Sequence, residues 1–212
     1  MRTILLMLMM LGVQRAYPQF ETSKQIYASP ALEGLLRSAK TVAILPFRVA
    51  ISYKKIPKGM TPENIREDER KESIQMQQGM YTYLLRKSDS YTVTFQDVDR
   101  TNRLLKQAGL FDRLEEVSLD SLYQVLGVDA LIKADWNYTK TGSEAASVTT
   151  GILLGVASST ASGLLVMKIY GPQDQEPAWR MTKEMNENAF SSANQLMERM
   201  MKKVARNFPF EK

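Results

Sequence analysis

Two residue types that this chain lacks bound the chemistry open to it. Its 212 residues include no histidine and no cysteine. Without imidazole, the commonest general base and the commonest transition-metal ligand are missing. Without thiols there is no disulfide framework, thiolate metal site, cysteine nucleophile or N-terminal cysteine to carry a lipid. Catalysis would have to rest on carboxylates, lysine, tyrosine or serine. The carboxylates best placed for it are Asp129 and Asp135, in the apolar run LGVDALIKADW at 126–136. A strand over that run puts both on one side, but six residues of strand hold them roughly 20 Å apart, whereas a retaining carboxylate pair requires about 5 Å. They are not a catalytic pair, and Asp129 reads as a turn or cap residue at the strand entrance. Gly151, Gly155 and Gly163 lack the Gly-Lys-Ser/Thr that completes a phosphate loop, which argues against nucleotide binding. The expectation is a non-enzymatic protein with no catalytic residue, no cofactor and no metal.

Two surface candidates remain. Lys54, Lys55 and Lys58 form a basic patch that would suit an acidic partner, although a solvated loop is the simpler reading. Residues 145–167 carry no charge at all. Within them Val148, Ile152, Leu153, Leu154 and Val156 are the candidate contact with a partner or with another copy. Gly151 and Gly155 have the spacing that lets helices approach closely, but Ser147, Thr149, Thr150, Ser158, Ser159, Thr160 and Ser162 dilute the hydropathy that a transmembrane helix needs. An inserting β-hairpin, or an apolar loop that meets a partner, fits that composition better.

Residues 1–19 read as a secretory signal peptide. Arg2 supplies the positive region, Ile4–Val13 the apolar region, and Ala16 a small residue at cleavage distance, with cleavage after Ala16 or after Gln19. The apolar run is too short to span a bilayer. The formal charge of +5 falls to +3 (26 minus 23) once Arg2 and Arg15 are removed, too little to argue for nucleic acid. Export makes the expected location periplasmic, with outer-membrane association as an extension of that.

The elements that would position these residues alternate. Residues 20–40 form a lead-in segment with a short helix starting at Ser29 and Pro30, and 41–212 a single domain with the uncharged insertion at 145–167. TVAILPFRV (41–49) is a strand in which Pro46 marks an end, an edge or a bulge. Thr61, Pro62 and Glu63 write a helix start, although the apolar positions become regular only over 71–87. YTVTF (91–95) is a second strand, followed by a helix from Asp97 or Asp99 to Gly109. Ser118 caps a helix over Leu119–Leu126, which Gly127 stops and which feeds the strand at 128–136. Such alternation implies parallel pairing. LLVMKIY (164–170) and 178–185 then form an antiparallel hairpin, and Ser191 or Ser192 caps a last amphipathic helix. The expected fold is α/β to α+β, a two- or three-layer sandwich on a mixed sheet of about five strands.

The order of these elements, with VAILPF at 42–47, LGVDALIKAD at 126–135, LLVMKIYG at 164–171 and AWRMTKE at 178–184, resembles a group of bacterial envelope domains. The group includes the curli-secretion lipoprotein CsgG, the penicillin-binding-protein activator LpoB and the N-terminal domain of TolB. The likeness covers roughly residues 40–208. It departs from the group in having GPQDQEP where a short Thr-Gly turn precedes the tryptophan, and in having no cysteine to acylate. The resemblance implies a sandwich used for contacts with another envelope protein or for self-association. Its alternative is an oligomeric secretion-channel-like subunit that inserts hairpins from 145–167 into a membrane.

Overall fold

The computed structural model describes residues 24–140, 159–172, 174–188 and 193–212. The elements are β1 (Lys24–Ala28), α1 (Leu32–Ser38), β2 (Thr41–Ile44), β3 (Arg48–Tyr53), α2 (Pro62–Leu85), β4 (Thr94–Phe95), α3 (Val98–Gln107), α4 (Leu119–Leu126), β5 (Ala130–Lys140), β6 (Ser159–Tyr170), β7 (Trp179–Asn188) and α5 (Ala193–Val204). The seven strands make one mixed sheet in the order β1-β7-β6-β5-β2-β4, with β3 also on β5. As the alternation implies, β4, β2, β3 and β5 pair in parallel. The hairpin β6–β7 pairs antiparallel, as do β5–β6 and β1–β7. Residues 1–19, expected to be a signal peptide, lie outside the described residues.

The local start and stop signals act where they are written. Thr61 Oγ1 accepts from Asn64 N at 3.3 Å while Asn64 Oδ1 accepts from Thr61 N at 3.0 Å, a reciprocal cap with Pro62 in the first turn. α2 therefore begins at Pro62, ahead of the packed portion at 71–87, and its first turns are largely exposed. Ser118 Oγ caps α4 by accepting from Ser121 N, and Gly127 ends that helix at φ +62°, a left-handed position that only glycine adopts at little cost. Asp97 caps α3 by accepting from Arg100 N.

Two strands exceed the expected five. β1 lies in the lead-in segment, which also contains the expected short helix α1. All five residues of β1 are exposed, so no apolar alternation marks it. β3 is the continuation of β2 after an interruption at Leu45–Phe47. Ile44 pairs with Ile132 and Arg48 with Asp135, so one strand advances by four residues while the other advances by three. That one-residue excess is a bulge at Pro46, which has no N–H for the ladder.

The sheet has a helical layer on each face. On one side α2 and α5 cover Val42, Ile44, Ile132, Trp136, Leu165, Met167 and Met181 with Met76, Met80, Leu84, Met200, Met201 and Val204, and Phe208 and Phe210 close the C-terminal edge. Unbranched methionines fill the irregular gaps between the helices and the twisted sheet. On the other side α3 and α4 cover only Ala43, Leu45 and Leu131, through Leu105, Leu122, Tyr123 and Leu126. The second layer is thus a partial one, and the β5–β6 portion of that face carries the ion pair Asp135–Lys168 at 2.9 Å.

Candidate functional site

The longest unbroken pairing in the sheet leads to the candidate contact segment. β5 and β6 remain in register from Leu131↔Tyr170 to Lys140↔Ala161, so the chain leaves and re-enters the sheet at adjacent points on either side of 141–158. The base of that hairpin is locked by one aromatic pair. Trp136 is buried and stacks on Tyr138 with ring centroids 5.5 Å apart and planes 21° from parallel. The Tyr138 hydroxyl donates to Glu72 Oε2 of α2 at 2.7 Å. Gly163, directly opposite Tyr138, lies beneath the indole: a Cβ there would stand 2.2 Å from Trp136 Cη2 and 2.7 Å from Cζ2 and Cζ3. Glycine is required here by close approach.

Val148, Ile152, Leu153, Leu154 and Val156 lie outside the described residues. Ser159–Met167, the second part of the uncharged run, belongs to β6, which begins at Ser159 rather than Leu164. Lys54, Lys55 and Lys58 are exposed in the connection between β3 and α2. Among the described residues no group of three or more acidic, cysteine or histidine side chains could hold a metal, and no helix is long and apolar enough to cross a membrane.

The two aspartates have structural partners. Asp129 Oδ2 accepts from Lys40 N and from Thr41 N, both at 2.9 Å, and so fixes the entry of β2 beside that of β5. Asp135 is held by Lys168. A cleft of about 280 Å³ opens where the β2–β3 bulge meets α2 and the turn after α3. Five of the charged side chains lining it have partners. Glu69 Oε1 accepts from Ile51 N at 2.8 Å, Arg48 pairs with Glu115 at 3.6 Å, and Arg113 with Glu116 at 3.0 Å. Glu69 thereby satisfies a backbone N–H on β3, where an edge would otherwise invite another strand.

A second cleft, of about 610 Å³, lies between α5 and the β1–β7 edge, and it is lined by Lys24, Lys183, Arg199, Lys202, Lys203, Arg206 and Asn207. Sequence reading passed over these residues. The signal available to it was Arg199, Lys202, Lys203 and Arg206 at i, i+3, i+4 and i+7, a single helix face. Nothing local joins that face to Lys24 or Lys183, which the strand pairing brings to it.

Burial raises the tyrosines packed at the sheet ends. The Tyr91 hydroxyl is pushed up to about 12 by desolvation, with Tyr83 and Glu211 adding to it. Burial pushes Tyr123 up as well, and its hydroxyl donates to Tyr170 O at 2.6 Å.

The chain is similar to lipoprotein GNA1162. That structure, from Neisseria meningitidis, matches at 10% identity and a TM-score of 0.45, over 79% of this chain and 95% of the other. The PelC dodecamer from Paraburkholderia phytofirmans matches at 11% identity and a TM-score of 0.42, over 89% and 96%. The LpoB C-terminal domain from Salmonella enterica matches at 10% and 0.36, over 74% and 94%. Likenesses at these scores leave the activity of the chain open. No family model and no curated protein matches the sequence.

Proposed function

We propose that this chain is a non-enzymatic protein-binding or assembly component of the bacterial cell envelope, exported to the periplasm. It binds there to another envelope protein or to further copies of itself. The observation that carries the reading is the β5–β6 hairpin, whose base is clamped by Trp136, Tyr138 and Gly163 and whose connection holds the uncharged residues 145–158. A rigid support under an apolar, uncharged segment presents it from a fixed base, which limits the cost of seating it against a partner.

Photo-crosslinkers placed at Ile152 and Leu154 of the full chain in cells test it, with one at the exposed Ile56 as the control. The expected result is an adduct of defined mass at 152 and 154 and none at 56. Absence of adducts, together with a monomeric purified protein, would sink the reading. The second reading is an oligomeric, secretion-channel-like subunit that inserts this hairpin into a membrane, and it draws on the same uncharged connection between two long strands. Recovery of the protein in the soluble periplasmic fraction without detergent would eliminate it.

A further inference from the structure

The connection between β3 and α2 has a composition that neither packing nor helix capping explains. From Ser52 to Pro62 the chain carries Lys54, Lys55 and Lys58 and no acid. The three lysines are exposed, and among the described residues none of them forms an ion pair or a side-chain hydrogen bond. Between them stands Ile56, at 60% the most exposed of the large apolar side chains described. A single exposed aliphatic is ordinary on a protein surface. Its enclosure by unpaired cations, on a loop fixed at both ends, is less so.

The loop is held by backbone contacts. Tyr53 pairs with Lys140 at the end of the β3–β5 ladder, and Thr61 caps α2 on the other side. Between these points Met60 N donates to Pro57 O at 3.1 Å while Gly59 takes φ +85°, which closes a turn with glycine in its left-handed position. The lysines therefore stand at the end of the sheet where β5 leads toward the uncharged residues 145–158. The acids that follow are mostly engaged elsewhere. Glu63 pairs with Arg66 at 2.6 Å, Glu69 accepts from Ile51 N, and Glu72 accepts from the Tyr138 hydroxyl. Glu67 and Asp68 stand further along α2, about 9–10 Å from Thr61 along the helix axis, a distance over which salt screens much of their field.

We infer that this loop is a contact site for an anionic membrane surface, with Lys54, Lys55 and Lys58 on the lipid phosphates and Ile56 set at the boundary between headgroups and acyl chains. Each lysine near an anionic leaflet is drawn to it, and an aliphatic side chain gains by leaving water at that boundary. An acidic protein would also attract the cations, but it would have to supply an apolar recess for Ile56 among its acids. A fluid headgroup layer supplies one without a matched shape. The inference is independent of the hairpin contact proposed above: the residues differ, and the loop contact is peripheral and sensitive to salt. It also leaves Ile56 without a protein neighbour, as the crosslinking control there requires.

The test uses the whole protein as purified from the cells that export it, floated with vesicles of phosphatidylcholine with and without phosphatidylglycerol. The expected result is flotation with the phosphatidylglycerol vesicles alone, lost as salt rises. Lys54→Ala/Lys55→Ala/Lys58→Ala is expected to weaken partitioning about a hundredfold, at roughly fivefold per lysine, and Ile56→Ser about tenfold. Two controls leave the loop intact. Arg100→Ala/Arg103→Ala/Lys106→Ala removes the same charge from exposed positions on α3, and Leu85→Ser removes an aliphatic that is 55% exposed at the other end of α2; each is expected to change partitioning less than about twofold. All four variants should melt close to the parent, since the positions lie outside the core. The inference is overturned if phosphatidylglycerol vesicles fail to float the protein, or if phosphatidylcholine floats it equally. It is also overturned if the α3 variant weakens flotation as much as the loop variant, or if Ile56→Ser floats as the parent does, which leaves the lysines as a patch for an acidic protein. Flotation that survives both high salt and the lysine variant assigns the membrane contact to the hairpin instead.

Discussion

Replacing Gly163 with alanine isolates the clamp at the hairpin base. The new Cβ would start 2.2 Å from Trp136 Cη2, whereas carbon atoms settle at about 3.5 Å or more, so the indole must retreat by about 1.3 Å. It has little room to do so, being 1% exposed and stacked on Tyr138. Overpacking of this kind costs about 1–3 kcal/mol. The loss of glycine's freedom in the unfolded chain returns about 0.4–1 kcal/mol. A net destabilisation of about 1–2 kcal/mol is expected, or about 2–8 °C in melting temperature for a chain of this size. Urea unfolding followed by fluorescence suits the question, because Trp136 and Trp179 are the only tryptophans and both are buried. The midpoint should fall with the slope unchanged. Trp136→Phe removes the ring atoms that the methyl strikes, so the double variant should be more stable than the two single losses sum to, by about 1 kcal/mol or more. If Gly163→Ala is as stable as the parent, or if the two losses add within about 0.5 kcal/mol, the close-approach argument is wrong.

Three further outcomes follow from contacts elsewhere in the fold. Asp129→Ala deprives Lys40 N and Thr41 N of their shared acceptor and should cost about 1–3 kcal/mol in chemical denaturation, with Asp129→Asn losing less because one side-chain oxygen remains. Gln77 and Asn102 are buried and exchange two amide hydrogen bonds, at 3.0 and 2.8 Å, while Gln77 also donates to Ile44 O at 2.7 Å. Asn102→Leu alone should therefore destabilise by about 1–3 kcal/mol, and Gln77→Leu added to it should cost less than it does by itself, because both amides are then gone. At alkaline pH the sign is set by Tyr91. Its folded value of about 12 lies above the ordinary 10, so between those values the unfolded chain has released a proton that the native state keeps. Stability should fall as pH rises through that window, and Tyr91→Phe should flatten the fall seen in pH-dependent melting.

Much of the fold could be read because its signals are local. Gly127, Ser118, Thr61 and Pro62 act within a turn of where they stand, and the buried stretches Val42–Ile44, Ala130–Ile132 and Leu165–Met167 are apolar runs. β1 could not be read that way: KQIYA is an exposed edge strand, made a strand by Trp179–Lys183 far along the chain. Pro46 marked an end, an edge or a bulge, of which the register shows the bulge, whereas the strand expected over 41–49 continues to Tyr53 and seats Val49 and Ile51 in the core. The same distinction applies to the sites. Asp129 and Asp135 could be rejected as a pair from strand geometry alone. The basic cleft needed tertiary pairing to bring Lys24 and Lys183 under the α5 face.

The register of β1 also gives the molecule a polarity. β7 runs from Trp179 toward Asn188, at the end of the sheet where Lys140 leaves β5 and Ser159 begins β6. Antiparallel β1 runs the other way, from Lys24 opposite Lys183 to Ala28 opposite Trp179. The chain therefore enters β1 travelling away from the hairpin end. A load applied ahead of Lys24 and a load applied to the hairpin connection pull toward the same pole. The opposite pole carries the left-handed Gly127 and the turn in which Gly171 N donates to Asp174 Oδ2 at 3.1 Å, and it stands at the far end of the lever. Force that draws on β1 in that direction shears the whole β1–β7 ladder at once rather than peeling it bond by bond, so this exposed edge strand is mechanically firmer than its thermodynamic burial suggests.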